Sequence, residues 1–174
     1  SLNNNMDLSY EGITYFESTE EGRTIETKGN TFNNHVVFQG RNGSWKLIDS
    51  LVTARDISLV HGRLNTNGHP LYGDNFLSTD TNLRTIVLKN SELHIGSTWR
   101  LNAQNLTFFG DSSTIYCRYF FNTYNGELVK YNDVIITGPP PLMSPSILSN
   151  DSIYCIFNNV LFQENSGHAI VQGD

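Results

Sequence analysis

Apolar residues along this chain recur as pairs with one residue between them. Ile86/Leu88, Leu93/Ile95, Trp99/Leu101, Leu106/Phe108 and Ile115/Cys117 follow one another with starts six to nine residues apart. Trp45/Leu47 and Ile57/Leu59 set the same beat earlier, and Val134/Ile136, Ile153/Cys155 and Val160/Phe162 continue it later. Leu64/Thr66 is a weaker, half-polar pair. Such a pair sends two side chains to one face of a short strand, and the Asp, Ser, Asn, Arg and Gly between pairs turn the chain toward the next one. Three such steps span roughly 20 to 24 residues, the size of one three-sided coil of a repeat that stacks on its neighbours. The pattern predicts an all-β fold, a right-handed parallel β-helix (β-solenoid). A sandwich shows longer strands joined by hairpin signals. Asn-Gly occurs at Asn42, Asn67 and Asn125, but the flanking strands are too short to favour hairpins.

Taken in order, residues 1–30 are the least regular. Met6, Leu8 and Tyr10 alternate, Ile13 and Tyr15 follow in the same way, and Ser18 to Gly22 reads as a turn. Phe32, Val36 and Phe38 then open a clear strand pattern. The phrase F-N-N followed by β-branched and aromatic residues appears at Phe32 and again at Phe157, and G-S-W-K-L at Gly43 echoes G-S-T-W-R-L at Gly96. These echoes read as internal repeats. Residues 138–150 hold four of the 5 prolines. Proline cannot donate to a strand ladder, so this stretch is expected to be a loop inserted in one coil. The beat still runs at Gly173-Asp174. Residues 1–174 are therefore expected to be a single solenoid segment of a longer chain, or one whose end a partner covers.

Composition sharpens the class. Alanine occurs only at Ala54, Ala103 and Ala169, while Asn, Ser and Thr abound, which argues against helices. Hydrophobic residues make up 38% and charged residues only 16%, so the surface must be polar mainly through uncharged groups. A net charge of −6 and scattered basic residues speak against nucleic acid as a partner. No apolar run is long enough to insert in a membrane, and no signal peptide opens the chain. Cys117 and Cys155 sit in the near-copies T-I-Y-C and S-I-Y-C. Setting the proline-rich stretch aside leaves them one coil apart, either as a stacked buried pair or as a disulfide between neighbouring coils.

Candidate chemistry is sparse. Asp49, Asp56, Asp74, Asp80, Asp111, Asp133 and Asp151 are dispersed, mostly in turn phrases such as G-D-N and G-D-S, whereas glycoside hydrolysis needs two carboxyls about 5 to 9.5 Å apart. His35, His61, His69, His94 and His168 lack metal-site spacing, and no calcium or phosphate loop is present. No catalytic, cofactor-binding or metal-binding residue is assigned. Tyr116, Tyr119, Phe120, Phe121 and Tyr124 form either rings stacked between coils or an outward platform for sugars. The pattern N-x-S/T occurs at Asn42, Asn105 and Asn150.

The ordered phrases G-N-T-F-N-N-H-V-V-F-Q-G, N-G-S-W-K-L-I-D-S-L, L-V-H-G-R-L-N-T-N-G-H-P-L, L-R-T-I-V-L-K-N-S-E-L-H-I and S-T-W-R-L-N-A-Q-N-L-T-F-F-G-D-S-S-T-I carry a resemblance. Over residues 29–138, with a weaker restart at Phe157, the chain resembles a β-helical module of very large surface and secreted proteins of Bacteroidetes. These include adhesin-like proteins of gliding species exported by type IX secretion. The resemblance implies a non-enzymatic, extracellular structural or adhesive module, with the rest of the polypeptide, surface glycans or the secretion machinery as partners, and with no cofactor. It also implies O-glycosylation at Ser50 and Ser152, in the phrases Asp49-Ser50-Leu51 and Asp151-Ser152-Ile153. The alternatives from other classes are a β-helical polysaccharide lyase or hydrolase, favoured by close carboxylates with a basic partner in a groove, and a carbohydrate-binding domain, favoured by outward Tyr and Trp in a row.

Overall fold

The computed structural model describes residues 10–138, 146–149, 155–163 and 170–172. The strands wind in about six turns. The first turn lays down β1 (Thr14–Phe16), β2 (Arg23–Ile25) and β3 (Thr31–Phe32). The second holds β4 (Val36–Phe38), β5 (Ser44–Leu47) and β6 (Leu51–Thr53), and the third β7 (Ile57–Leu59), β8 (Gly62–Asn65) and β9 (Leu71–Gly73). β10 (Phe76–Ser78), β11 (Arg84–Val87) and β12 (Glu92–Ile95) make the fourth. Above them the strands lengthen: β13 (Thr98–Ala103), β14 (Leu106–Cys117), β15 (Phe120–Gly126) and β16 (Val129–Ile136), then β17 (Ser146–Ser149), β18 (Cys155–Phe162) and β19 (Ile170–Gln172). No helix occurs among the described residues.

Every ladder is parallel, and each strand pairs with the strand one coil away. Three faces result. Face A stacks β1, β4, β7, β10, β13, β15, β17 and β19; face B stacks β2, β5, β8, β11 and the starts of β14, β16 and β18; face C stacks β3, β6, β9, β12 and the ends of β14, β16 and β18. Down face A the inward residues Thr14, Val36, Ile57, Phe76, Trp99 and Phe121 stand in register, 19 to 23 residues apart. This is the predicted β-solenoid, with coils of the predicted size.

The two-residue beat sets the interior. Trp45, Leu47, Ile57, Leu59, Leu64, Ile86, Leu88, Leu93, Ile95, Trp99, Leu101, Ile115, Cys117, Val134 and Ile136 are all buried. Rings stack across coils, Phe16 on Phe38 at 4.9 Å and Phe76 on Trp99 at 4.4 Å between centroids. Corners follow from the Asn and Gly content. Asn42, Asn67 and Asn125 hold φ of 63°, 55° and 51°, so each Asn-Gly bends the chain from one face to the next instead of closing a hairpin. At Gly62, with φ of 80°, a Cβ would clash with the Gly43 carbonyl oxygen. Side chains tie corner to corner as well. Thr66 Oγ1 donates to the Leu88 carbonyl at 2.6 Å and accepts from Ser91 Oγ at 2.7 Å, all within the buried corner between faces B and C.

Several sequence expectations change. Ile13 and Tyr15 point outward, 38% and 50% exposed, because β1 takes its register from Phe16, whose ring rests on Phe38. The two tryptophan phrases are not equivalent: Trp45 lies on face B opposite Leu64, and Trp99 on face A opposite Phe76. The F-N-N phrases differ in the same way. Phe32 ends a face C strand before the corner to face A, whereas Phe157 to Phe162 stay within β18. A two-knob strand suits any of the three faces, so these echoes repeat at the level of the strand and not of the coil. Ser146–Ser149, at the end of the proline-rich stretch, is strand β17 paired with β15 and so continues face A. Met6 and Leu8, residues 139–145, Ser152 and His168 lie outside the described residues.

The cysteine expectation also fails. Cys117 stands opposite Ile136, and Cys155 stands opposite Val129. Strand β16 separates β14 from β18, so the two cysteines are two ladder spacings apart, about 9.5 Å before any offset along the strands. That exceeds the roughly 7 Å Cα separation a disulfide tolerates. They form neither a stacked pair nor a bridge. The coil count between them omitted the coil that carries β16.

Candidate functional site

The outward positions of face B form a groove of about 1090 Å3 running along the solenoid axis. Its floor is two columns set by register. Ser44, Arg63, Thr85 and Thr107 stand in one, and Lys46 and Asn65 in the other. Corner residues including Asn42, Gln104 and Asn105 build the wall. Each floor residue is the polar middle of a two-knob strand: Lys46 between buried Trp45 and Leu47, Thr85 between buried Arg84 and Ile86. Ser44 is engaged, its Oγ accepting from the Gly22 amide at 2.7 Å. By contrast, the side chains of Lys46, Arg63, Thr85, Thr107 and Gln104 make no hydrogen bond or ion pair among the described residues.

The carboxylates lining this groove are Glu21 and Glu127. Glu21 precedes β2 and Glu127 precedes β16, with β5, β8, β11 and β14 between those strands. Five ladder spacings put them roughly 24 Å apart along the axis. A glycosidase pair needs about 5 to 9.5 Å. The groove is thus acidic at its ends, with its two exposed cations on β5 and β8, one and two ladder spacings from the β2 end, and without paired acids across it.

Below the groove lies a residue that the sequence reading did not single out. Arg84 occupies an inward position of β11 and is 2% exposed. Its guanidinium donates to the carbonyls of Asn82 (2.9 Å), Ser78 (2.6 Å), Asn102 (2.9 Å) and Gln104 (2.6 Å), and to Ser78 Oγ (2.9 Å). Burial lowers its pKa, partly offset by Asp80. It staples the A-to-B corners of two coils. The available signal was its phase: Arg84 and Ile86 form a pair whose first knob is charged.

A second polar cluster sits inside the upper coils. The buried Tyr131 hydroxyl meets Trp99 Nε1 at 3.2 Å and Thr123 Oγ1 at 2.7 Å. Burial raises the Tyr131 pKa, helped by neighbouring Cys155. The Cys155 thiol is itself pushed up to about 11 by burial. A thiol so shifted is protonated at neutral pH and a poor nucleophile.

The remaining sequence candidates separate. Asp49 accepts the Thr27 and Lys28 amides of the coil below, Asp56 meets Asn75 Nδ2 at 2.7 Å and His35 Nδ1 at 3.3 Å, and Asp80 caps Thr81. Ser50 is half-buried beside Asp49, and its carbonyl accepts from Thr27 Oγ1. Of the aromatic run, Phe121 is core and Tyr116 faces outward on face C, while Arg100 lies over Tyr124 and Arg118 over Tyr119. Tyr72, His94 and Tyr116 form an outward stack with 4.7 Å between successive centroids and planes within 7°. Each ring covers its neighbour's face, so only ring edges meet solvent and no broad face is left for a sugar. Among the described residues no three His, Cys, Asp or Glu side chains gather as a metal site. No family model matches the chain, and no curated protein and no solved structure matches it.

Proposed function

We propose that this chain is a non-enzymatic structural and adhesive module of a bacterial cell-surface or secreted protein, a rigid β-solenoid that spaces and displays its outer faces. The observation that carries this reading is the use of the carboxylates. Asp49, Asp56 and Asp80 hold corner amides or neighbouring coils, and Asp133 receives Asn159 Nδ2 at 2.7 Å. Acids engaged in this way brace the winding and lack the freedom and pairing that bond cleavage demands. The ordered phrases over residues 29–138 support export and the surface setting, in the manner of the Bacteroidetes modules they resemble. Surface proteolysis of intact source cells, followed by detection of this segment, tests location. Protection from added protease contradicts a surface module. Incubating the chain with acidic and neutral polysaccharides tests the enzymatic alternative: the module leaves them intact, and newly released reducing ends contradict it.

A further inference from the structure

We infer that the face B groove binds an acidic polysaccharide laid along the solenoid axis, with Lys46 and Arg63 as its anionic-group subsites. The inference deepens the adhesive reading and rests on it, since a purely internal spacer needs no ligand. The first support is charge. On a protein of net charge −6, the two cations that share the groove floor have no carboxylate partner among the described residues. Arg23 pairs with Glu20, and Arg100 and Arg118 lie on tyrosine rings. Lys28, Arg41, Arg55, Lys89 and Lys130 also lack an ion pair among the described residues, but none of them is among the residues lining the groove, where Lys46 and Arg63 come together. Lys46 and Arg63 project from adjacent strands two residues apart in register, on the diagonal across the floor.

The second support is the chemistry around the cations. Thr85, Thr107 and Gln104 offer hydroxyl and amide groups that no protein atom uses, and they follow Arg63 along the same side of the groove. A row of uncharged donors and acceptors beyond two cations suits a ligand rich in hydroxyls with intermittent carboxylate or sulfate groups. Nucleic acid, with a phosphate at every unit, calls for many more cations. An acidic peptide strand finds no backbone partner here, because on the face of a sheet the amides and carbonyls already serve the ladder. The groove spans five ladder spacings, roughly 24 Å, long enough for several sugar units. Glu21 and Glu127 at its two ends repel an anionic chain there, which leaves β5 and β8 as the strands that receive its charged groups.

The test is native affinity electrophoresis of the 174-residue chain through gels containing polygalacturonate or, as the neutral control, dextran. Retardation by polygalacturonate alone, weakening as salt rises, is expected. The double variant K46Q/R63Q is expected to lose about tenfold or more in apparent affinity while keeping the wild-type thermal midpoint, since both side chains are exposed. The charge-matched variant K28Q/K89Q, altered at exposed B-to-C corners outside the groove, is expected to bind as wild type. Absence of retardation, equal retardation by dextran, equal loss in the two double variants, or displacement by polyglutamate at equal charge overturns the inference. Release of reducing ends from polygalacturonate by a chain that still shows the K46Q/R63Q effect overturns the non-enzymatic reading and upholds the groove.

Discussion

The lower and upper coils of this solenoid solve the same packing problem in different ways. Up to β12 every strand has two to four residues, and the corner between faces B and C is a true turn. Lys28-Gly29, Asn67-Gly68 and Lys89 take positive φ there, and the buried hydroxyls of Thr27, Thr66 and Ser91 bond across it. Strands β13 to β16 are longer, six to 12 residues, and β14 runs through that corner as one strand of 12 residues, with a register shift between Gly110 and Thr114. The interior changes with it. The lower coils pack the rings of Phe16, Phe32, Phe38 and Trp45 among aliphatic knobs, whereas the upper interior gathers Trp99, Phe108, Phe121, Tyr131 and Phe157 around the polar contacts of Tyr131. A corner with its own hydrogen bonds permits a simple core. Where the corner opens, rings and buried polar groups define the packing.

Arg84 sits at the junction of the two regimes, and its replacement is expected to have the largest effect. Arg84→Leu leaves the carbonyls of Ser78, Asn82, Asn102 and Gln104 without their donor; at ~1–3 kcal/mol for each buried group, a loss above roughly 4 kcal/mol in urea unfolding is expected. A loss below about 1 kcal/mol would show that the corners hold without the staple. Trp99→Ala comes next, because Trp99 is fully buried and stacked on both Phe76 and Phe121. It should cost about 3–5 kcal/mol by the same measurement. Tyr131→Phe keeps the ring and removes the hydroxyl, leaving Trp99 Nε1 without its acceptor and Thr123 with Cys155 alone, and a loss of about 1–3 kcal/mol is expected. If Tyr131→Phe is neutral, the upper interior depends on rings alone.

A pH titration separates the regions more gently. Cys155 has its pKa raised from 9.0 to about 11, so the folded state favours the protonated thiol. Its contribution is complete below about pH 9 and is lost as pH rises from there through about 11; Tyr131, also raised, acts in the same sense. Stability is therefore expected to fall across that window, with a smaller fall in Cys155→Ala, read from thermal midpoints. The smallest effect is expected at a lower corner. Asp49→Ala removes the acceptor for the Thr27 and Lys28 amides at a partly exposed site, at a cost of about 1–2 kcal/mol.

How much of this the sequence revealed follows from what alternation encodes. Alternation marks which side chains point inward, and so Trp45/Leu47, Leu93/Ile95 and Val134/Ile136 were readable as core pairs. It does not say which of three faces a pair belongs to, which is why Trp45 and Trp99 looked equivalent and are not. Coil membership depends on counting every strand between two positions, and the Cys117–Cys155 expectation failed because β16 was passed over. Ile13 and Tyr15 alternate as an apolar pair, yet it is the neighbouring Thr14 and Phe16 that stand in register with Val36 and Phe38. The groove was legible only in part. Lys46 and Arg63 are visible as polar middles of strands, but their proximity requires the register, which no local pattern supplies.

The account stands on parallel coils stacked at a constant rise. Spin labels in a Cys117→Ala/Cys155→Ala background test it directly, on the outward face A column that contains Tyr15, Arg100 and Asn122. From Tyr15, four ladder spacings lead to Arg100 and five to Asn122, so electron–electron distances centred near 19 Å and 24 Å are expected after allowance for the label arms. An increment of about 4.8 Å for a sequence step of one coil supports the stacking. Equal distances, a reversed order, or a difference of several times that rise would contradict it.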